Sequence, residues 1–142
     1  MTNNILLLLL ISTTAYLTGL IWVIQLIHYP SFKFIYKNAC KEFHNIHMSR
    51  ISIAVIPAMI TELCLTVYLT WLFFHSNLST LFILQSVCLV IIWASTIFIQ
   101  ARIHRKLQNK FTHILINQLI LSNWIRTMAW SIKLIICFYT IY

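Results

Sequence analysis

Four long apolar runs constrain the fold of this chain more than any other feature. They cover about residues 4–28, 50–74, 78–100 and 119–141. A helix of about 20 apolar residues crosses a hydrocarbon core of about 30 Å, so each run is long enough for one membrane span. The runs are continuous rather than alternating in polarity, which favours helices over the strands of a barrel. The sequence therefore predicts one all-α domain, an integral membrane four-helix bundle.

Composition supports a lipid environment. Hydrophobic residues make up 61% of the 142 residues and charged residues 8%, whereas soluble domains have about 25% charged residues. A chain of this length cannot bury so much apolar surface in its own interior. No Lys or Arg precedes the first run, so we expect a retained span there rather than a signal peptide.

The cations predict the orientation. They are concentrated in two segments, 29–49 and 101–118, while the N-terminal tail and the connection between runs two and three have none. The cations of these segments are Lys33, Lys37, Lys41, Arg102, Arg105, Lys106 and Lys110, and Arg50 directly follows the first segment. The positive-inside rule makes both segments basic cytoplasmic loops and puts both termini outside, which is an N-out/C-out topology.

The net charge of +8 suits a lipid bilayer with anionic headgroups better than nucleic acid, because the cations flank apolar runs. Lys33, Lys37 and Lys41 recur every four residues, which predicts a short interfacial helix with these lysines on one face. The default location is the cell membrane, as a multi-pass protein of a bacterial inner membrane.

A polar stripe runs along the fourth span. Its members recur with the i, i+3, i+4, i+7 spacing of one helix face. They are Asn123, Arg126, Thr127, Trp130, Lys133, Leu134 and Cys137. A charge in the middle of a membrane is costly unless it is paired or hydrated. We therefore expect this stripe to face the other helices.

Glu62 is the one acid within the four runs. Counted from Arg50, it lies at a depth comparable with that of Arg126, which predicts a Glu62–Arg126 ion pair inside the bundle. The pair could fix helix register only, it could belong to a ligand pocket, or the two side chains could make no contact at all. Lys133 is expected nearer the outer surface, where its ammonium would reach the interface.

Four histidines, His28, His44, His47 and His104, are expected at the same end of the bundle. Gln25 and Gln100 lie close to that level. Imidazoles can ligate haem iron or a divalent metal, for which His44, His47 and His104 are the candidates. They can also hydrogen-bond a quinone-like carbonyl or transfer protons.

Several other functions lack support in the sequence. The chain has no Asp, no Gly-rich phosphate loop and no arrangement for covalent catalysis, so hydrolase and nucleotide-driven activities are not indicated. Its four cysteines show no metal-ligand spacing. A pore would need several copies because a four-helix bundle has a filled core, so a homo-oligomer remains an alternative.

Four segments carry a resemblance to known families: GLIWVIQLIHYPSF, FHNIHMSRIS leading into PAMITEL, STIFIQARIHRKL and LILSNWIRTMAW. Their order resembles a family of uncharacterised small bacterial membrane proteins with four spans. It is more distantly similar to the anthrone oxygenase-like membrane family, whose last span carries an Asn, an Arg and a small polar residue, matching Asn123, Arg126 and Thr127. That resemblance implies cofactor-independent oxidation of an aromatic polyketide ring. The segment RISIAVIPAMI also resembles part of the small four-span protoporphyrinogen oxidases.

The sequence thus predicts a small-molecule site in the cytoplasmic half of the bundle, for a quinone-like or aromatic, largely apolar ligand. The residues expected to line it are Asn123, Arg126, Glu62, His28, Gln25 and Gln100. One alternative is a non-enzymatic accessory or scaffold protein. Another is a redox membrane protein with haem or a metal. Whether the chain is an enzyme stays open.

Overall fold

A computed structural model describes residues 2–35 and 39–140, and nearly all of them form four long helices. Helix α1 comprises Thr2–Val23, a π-helical turn at Ile24–His28, and the short turns Tyr29–Ser31 and Phe32–Phe34. Helix α2 is Cys40–Leu72. Helix α3 comprises Ser79–Ser95, a π-helical turn at Thr96–Gln100, and Ala101–Asn109. Helix α4 is His113–Tyr139. These ranges contain no strand, and the predicted all-α four-helix bundle is confirmed.

Each of the four helices is long and apolar enough to cross a membrane. Large apolar side chains cover their outer faces. Ile53, Trp71 and Leu121, for example, are each at least 70% exposed. A soluble monomer seldom exposes apolar surface on this scale. The four apolar helices and their exposed apolar faces therefore indicate a multi-pass membrane protein.

Helix α4 packs most extensively against α3 and α1, while α2 packs against α1 and α3. Consecutive helices are antiparallel neighbours, so α2 and α4 run in the same direction on opposite sides of the bundle. Helices α1 and α3 finish at the end of the bundle where α2 and α4 begin. We call this the histidine end. The chain termini and the connection between α2 and α3 lie at the opposite end.

The helices extend further at the histidine end than predicted. Most of the segments 29–49 and 101–118, predicted as loops, are helical. The polar residues there continue each helix because apolar positions within them still pack inward, as Ile103 and Leu107 do in α3. Helix α4 begins where Thr112, with an extended backbone, accepts a hydrogen bond from the backbone N–H of Leu115 at 3.4 Å.

The predicted interfacial helix is not formed as expected. Lys33 lies in the last turn of α1, whereas Lys41 lies at the beginning of α2. The chain leaves the helical conformation at Ile35, whose φ of −82° and ψ of 132° are extended. Lys37 lies outside the described residues. Lys33 and Lys41 therefore do not share one short helix.

Candidate functional site

A buried ion pair joins α2 and α4 across the interior. Lys133 Nζ lies 2.9 Å from Glu62 Oε1, and both side chains are fully buried. The ammonium also donates to Thr66 Oγ1 at 3.1 Å and to Thr14 Oγ1 at 3.4 Å. Glu62 accepts further hydrogen bonds from the Thr14 hydroxyl, at Oε1, and from Trp130 Nε1, at Oε2. Every charged atom of this ion-pair cluster therefore has partners.

This arrangement corrects two predictions. Glu62 pairs with Lys133 instead of Arg126, and Lys133 is buried instead of reaching an interface. The predicted pair measures depth from Arg50, but Arg50 lies well inside α2 because that helix begins at Cys40. Counted from the true helix starts, Glu62 and Lys133 lie at similar depth, whereas Arg126 lies seven residues, about 10 Å, closer to the histidine end.

Arg126 belongs to a second buried polar group, the arginine cluster, which also contains Gln25, Tyr29, Thr96 and Asn123. Its Nε donates to Asn123 Oδ1 at 3.0 Å, and Nη2 donates to the same oxygen and to Tyr29 Oη at 3.3 Å. Its Nη1 lies 3.5 Å from Thr96 Oγ1. All of these acceptors are neutral oxygens.

Gln25 holds Asn123 in the orientation that serves Arg126. Asn123 Nδ2 donates to Gln25 Oε1 at 2.8 Å, and Gln25 Nε2 donates to the backbone carbonyl of Ile120 at 3.2 Å. Because the amide nitrogen of Asn123 faces Gln25, its oxygen faces the guanidinium. Contacts from α1 therefore fix the position of a cation carried by α4.

The charge of Arg126 has no counter-ion among the described residues. Within residues 2–35 and 39–140, no carboxylate lies within ion-pair distance of Arg126, and Glu62 pairs with Lys133. Only 7% of Arg126 is exposed. A buried charge without an opposite charge is costly, by several kcal/mol in apolar surroundings. The arginine cluster therefore presents an uncompensated positive charge that favours an anionic or oxygen-rich partner.

Arg126 lies in the wall of a cavity of about 180 Å³ between the helices. An engineered protein cavity of about 150 Å³ holds a benzene molecule, so this space suits one substituted ring. The wall is mostly apolar side chains of α1 and α2, including Leu17, Ile21, Val55 and Met59. Its polar members converge at the side nearest the histidine end. They are Tyr29, His47, Ser52, Thr96, Gln100, His104 and Arg126.

Gln100 provides a second polar feature of this cavity. Its Nε2 donates to Ser122 Oγ at 3.0 Å. Its Oε1 is buried and has no hydrogen-bond partner within the described ranges. An unpaired buried acceptor costs about 1–3 kcal/mol.

The cavity reaches the surface at the side of the bundle. Two of its lining residues are exposed, Ile56 on α2 and Ala101 on α3. Both lie within the apolar helices that are long enough to cross a membrane. Ile53 and Phe98, close to them in sequence, are also strongly exposed. The mouth therefore lies between α2 and α3. Its surroundings are apolar at Ile53 and Phe98, and exposed Arg102, whose guanidinium carbon lies 5.9 Å from the centre of the Phe98 ring, borders it on the side of the histidine end.

The four predicted histidines come together, as expected. His28 Nε2 lies 2.6 Å from His47 Nδ1, and His44 Nε2 lies 3.1 Å from His104 Nδ1. The other nitrogen of His104 lies 3.2 Å from Tyr29 Oη, which joins the second histidine pair to the arginine cluster. The prediction that these histidines share one end of the bundle is confirmed.

A metal site does not follow from this proximity. Across residues 2–35 and 39–140, no group of three or more His, Cys, Asp and Glu side chains is arranged to hold a metal ion. The ring nitrogens instead contact one another and Tyr29. The arrangement gives no support to the metal site predicted at His44, His47 and His104.

Both π-helical turns border the cavity. The turn in α1 carries Ile24 and Gln25, and the turn in α3 carries Thr96 and Gln100. A π-helical turn inserts one extra residue into a helix and is frequent at functional sites. Here Gln25 of the first turn accepts a hydrogen bond from Asn123, and Thr96 of the second accepts one from Arg126, three residues further along α4.

The structure separates the six predicted ligand residues. Arg126 and Gln100 line the cavity, while Asn123 and Gln25 lie behind Arg126 and position it. His28 lies beyond His47, outside the cavity wall, and Glu62 belongs to the ion-pair cluster.

Sequence reasoning missed Tyr29 and Thr96. A single tyrosine or threonine near the end of an apolar run carries no distinguishing pattern, so neither could have been found without the bundle geometry.

Scans against protein-family models, curated proteins and solved structures found no match to this chain.

Proposed function

We propose that this chain binds a small, largely apolar molecule with one ring and an oxygen-bearing head group, such as a simple quinone or phenol. The oxygen would accept hydrogen bonds from Arg126, beside Tyr29 and Gln100, and the ring would contact the apolar wall. The observation that carries the proposal is the buried, uncompensated guanidinium in the wall of a cavity. Ligand pockets commonly combine such an apolar wall with a few convergent polar groups.

Cavity size limits the ligand class. A space of about 180 Å³ suits one ring better than the three fused rings of an anthrone. The lateral mouth leaves room for an apolar tail that would extend between Ile56 and Ala101 into lipid. We therefore propose a ligand drawn from the membrane.

We further propose that the histidine end faces the cytoplasm of a bacterial cell. Exposed Arg50, Arg102, Arg105, Lys106 and Lys110 lie at that end, which supports an N-out/C-out orientation in an inner membrane. A groove of about 330 Å³, lined by Arg102, Arg105, Lys106 and Asn109, would suit anionic headgroups.

The binding proposal can be tested with duroquinone and 4-nitrophenol as one-ring probes. Equilibrium dialysis would compare wild-type protein in nanodiscs with Arg126→Gln, and empty nanodiscs would correct for partition into lipid. Hydrogen bonds to a charged group contribute about 1.5–3 kcal/mol, so we expect roughly ten- to hundredfold weaker binding in the variant.

The matched control is Arg105→Gln, which removes an exposed arginine at the same end. It should leave the affinity for both probes unchanged. Equal binding by wild type and Arg126→Gln, or no specific binding of either probe, would refute the proposed site.

A further inference from the structure

A histidine pair connects the cavity wall with a separate outer groove. His47 lines both the cavity and a groove of about 330 Å³, whereas His28 lines only the groove. Their ring nitrogens, His47 Nδ1 and His28 Nε2, lie 2.6 Å apart. A proton can cross such a contact in one step.

The other histidine pair, His104 and His44, does not lead to the surface. Tyr29, His104 and His44 form a hydrogen-bonded chain that also begins at the cavity wall. His44 is fully buried, and its Nδ1 has no hydrogen-bond partner in the part of the chain that the structure describes. This chain ends inside the protein, while His28 is half-buried at a surface groove. The His47–His28 pair is therefore the one that leads out.

Charge around the cavity determines what such a path would do. Cationic or titratable groups surround the pair on every helix. Tyr29 of α1, His104 of α3 and Arg126 of α4 line the cavity with His47, His44 of α2 lies behind His104, and Arg50 of α2 lines the outer groove with His28. No carboxylate of the described residues lies near Arg126 to balance them. An anion in the cavity would be stabilised by this surplus.

Resting on the proposed binding function, we propose that the site takes a weak oxygen acid, a one-ring phenol, and binds it as its anion beside Arg126. The phenol arrives neutral from the lipid, because a charged molecule does not readily enter an apolar mouth. Its proton then leaves through His47 and His28.

Protons balance in this transfer. The phenol O–H bond breaks as its proton binds His47 Nε2, the ring nitrogen left available because Nδ1 contacts His28. The proton on His47 Nδ1 moves to His28 Nε2, and the proton on His28 Nδ1 passes to water in the outer groove. One proton enters the pair and one leaves, so both rings end neutral in their other tautomer. Ligand release reverses every step.

A stopped-flow experiment tests the path. Nanodiscs containing the protein are mixed with 4-nitrophenol at a pH where most of the probe is neutral, and the absorbance of its yellow phenolate is followed. Wild type should generate phenolate as the probe binds. The variant His28→Gln keeps a hydrogen-bonding group but cannot pass a proton on.

In His28→Gln we expect phenolate to form at least about tenfold more slowly than in wild type, because acid–base groups contribute about 10²–10⁴-fold to proton-transfer rates. Its equilibrium affinity should match wild type. The control His44→Gln alters the chain that ends inside the protein and should leave the rate unchanged.

The outcomes separate this inference from the binding proposal. Bound probe that stays neutral, or phenolate that forms equally fast in His28→Gln, overturns the proton path while Arg126-dependent binding still stands. Absence of Arg126-dependent binding of both duroquinone and 4-nitrophenol overturns the proposed function and this inference with it. Equal slowing in His28→Gln and His44→Gln contradicts the assignment of the exit to His28.

Discussion

At the scale of single residues, two buried cations of α4 have opposite surroundings. Lys133 has a carboxylate and two hydroxyls around its ammonium. Arg126 has neutral oxygens and an adjoining cavity. The first arrangement is complete without a ligand, whereas the second leaves a charge unbalanced. This contrast supports a packing role for Lys133 and the proposed binding role for Arg126.

The packing role predicts strong coupling between Glu62 and Lys133. Removing one partner leaves a buried uncompensated charge, so Glu62→Gln and Lys133→Met should each lower the free energy of unfolding by about 3–5 kcal/mol. The double variant should lose much less than the sum of the two. Unfolding in mixed SDS micelles measures all three, and additive losses would show that the two residues are not coupled.

Arg126→Gln serves as the contrasting variant in that series. It also removes a buried cation, but no carboxylate is left behind, and the glutamine amide can still donate to Asn123. We expect its free energy of unfolding to change by about 1 kcal/mol or less. A loss as large as that of Lys133→Met would mean that Arg126 is mainly a structural residue.

At the scale of helices, the sequence predicted which residues form each span and which face of α4 is buried. It did not predict which side chains contact one another. The spacing of Asn123, Arg126, Trp130 and Lys133 correctly predicted one buried face of α4. The partner of Glu62 could not be predicted, because helix depth depends on where α2 begins and polar residues extend it to Cys40. The π-helical turns also escaped prediction, since a one-residue insertion leaves the apolar run unbroken.

The lateral mouth between α2 and α3 makes a prediction about ligand entry. A tryptophan at the exposed Ala101 would fill the mouth, so Ala101→Trp should slow association of duroquinone several-fold. Ile97→Trp places the same side chain at an exposed position of α3 outside the cavity wall and should have no effect. Association rates in nanodiscs check both, and unchanged rates in Ala101→Trp would move the entrance elsewhere.

At the scale of the whole molecule, the bundle separates two tasks along its length. The ion-pair cluster holds α1, α2 and α4 together in the interior, and the arginine cluster with the histidines shapes a cavity nearer the histidine end. Four spans and the grouping of histidines followed from the sequence, because both depend on run length and chain direction. Which buried cation belongs to which cluster could not be predicted, because it depends on how far the helices are shifted along their axes relative to one another.

Orientation in the membrane is testable with single cysteines in a background without the native ones. Asn77→Cys lies in the connection at the opposite end, and Asn109→Cys lies at the histidine end, both at exposed positions. In intact cells, a membrane-impermeant thiol reagent should label the first and should reach the second only after permeabilisation. The reverse pattern would place the histidine end outside.

Native mass spectrometry of protein released from its own membrane tests the central claim most directly. Wild type and Arg105→Gln should carry the same bound small molecule, of a mass consistent with one oxygenated ring with or without an apolar tail. Arg126→Gln, equally folded, should lack it. Identical spectra for the wild type and Arg126→Gln would contradict the claim that the uncompensated arginine holds a ligand.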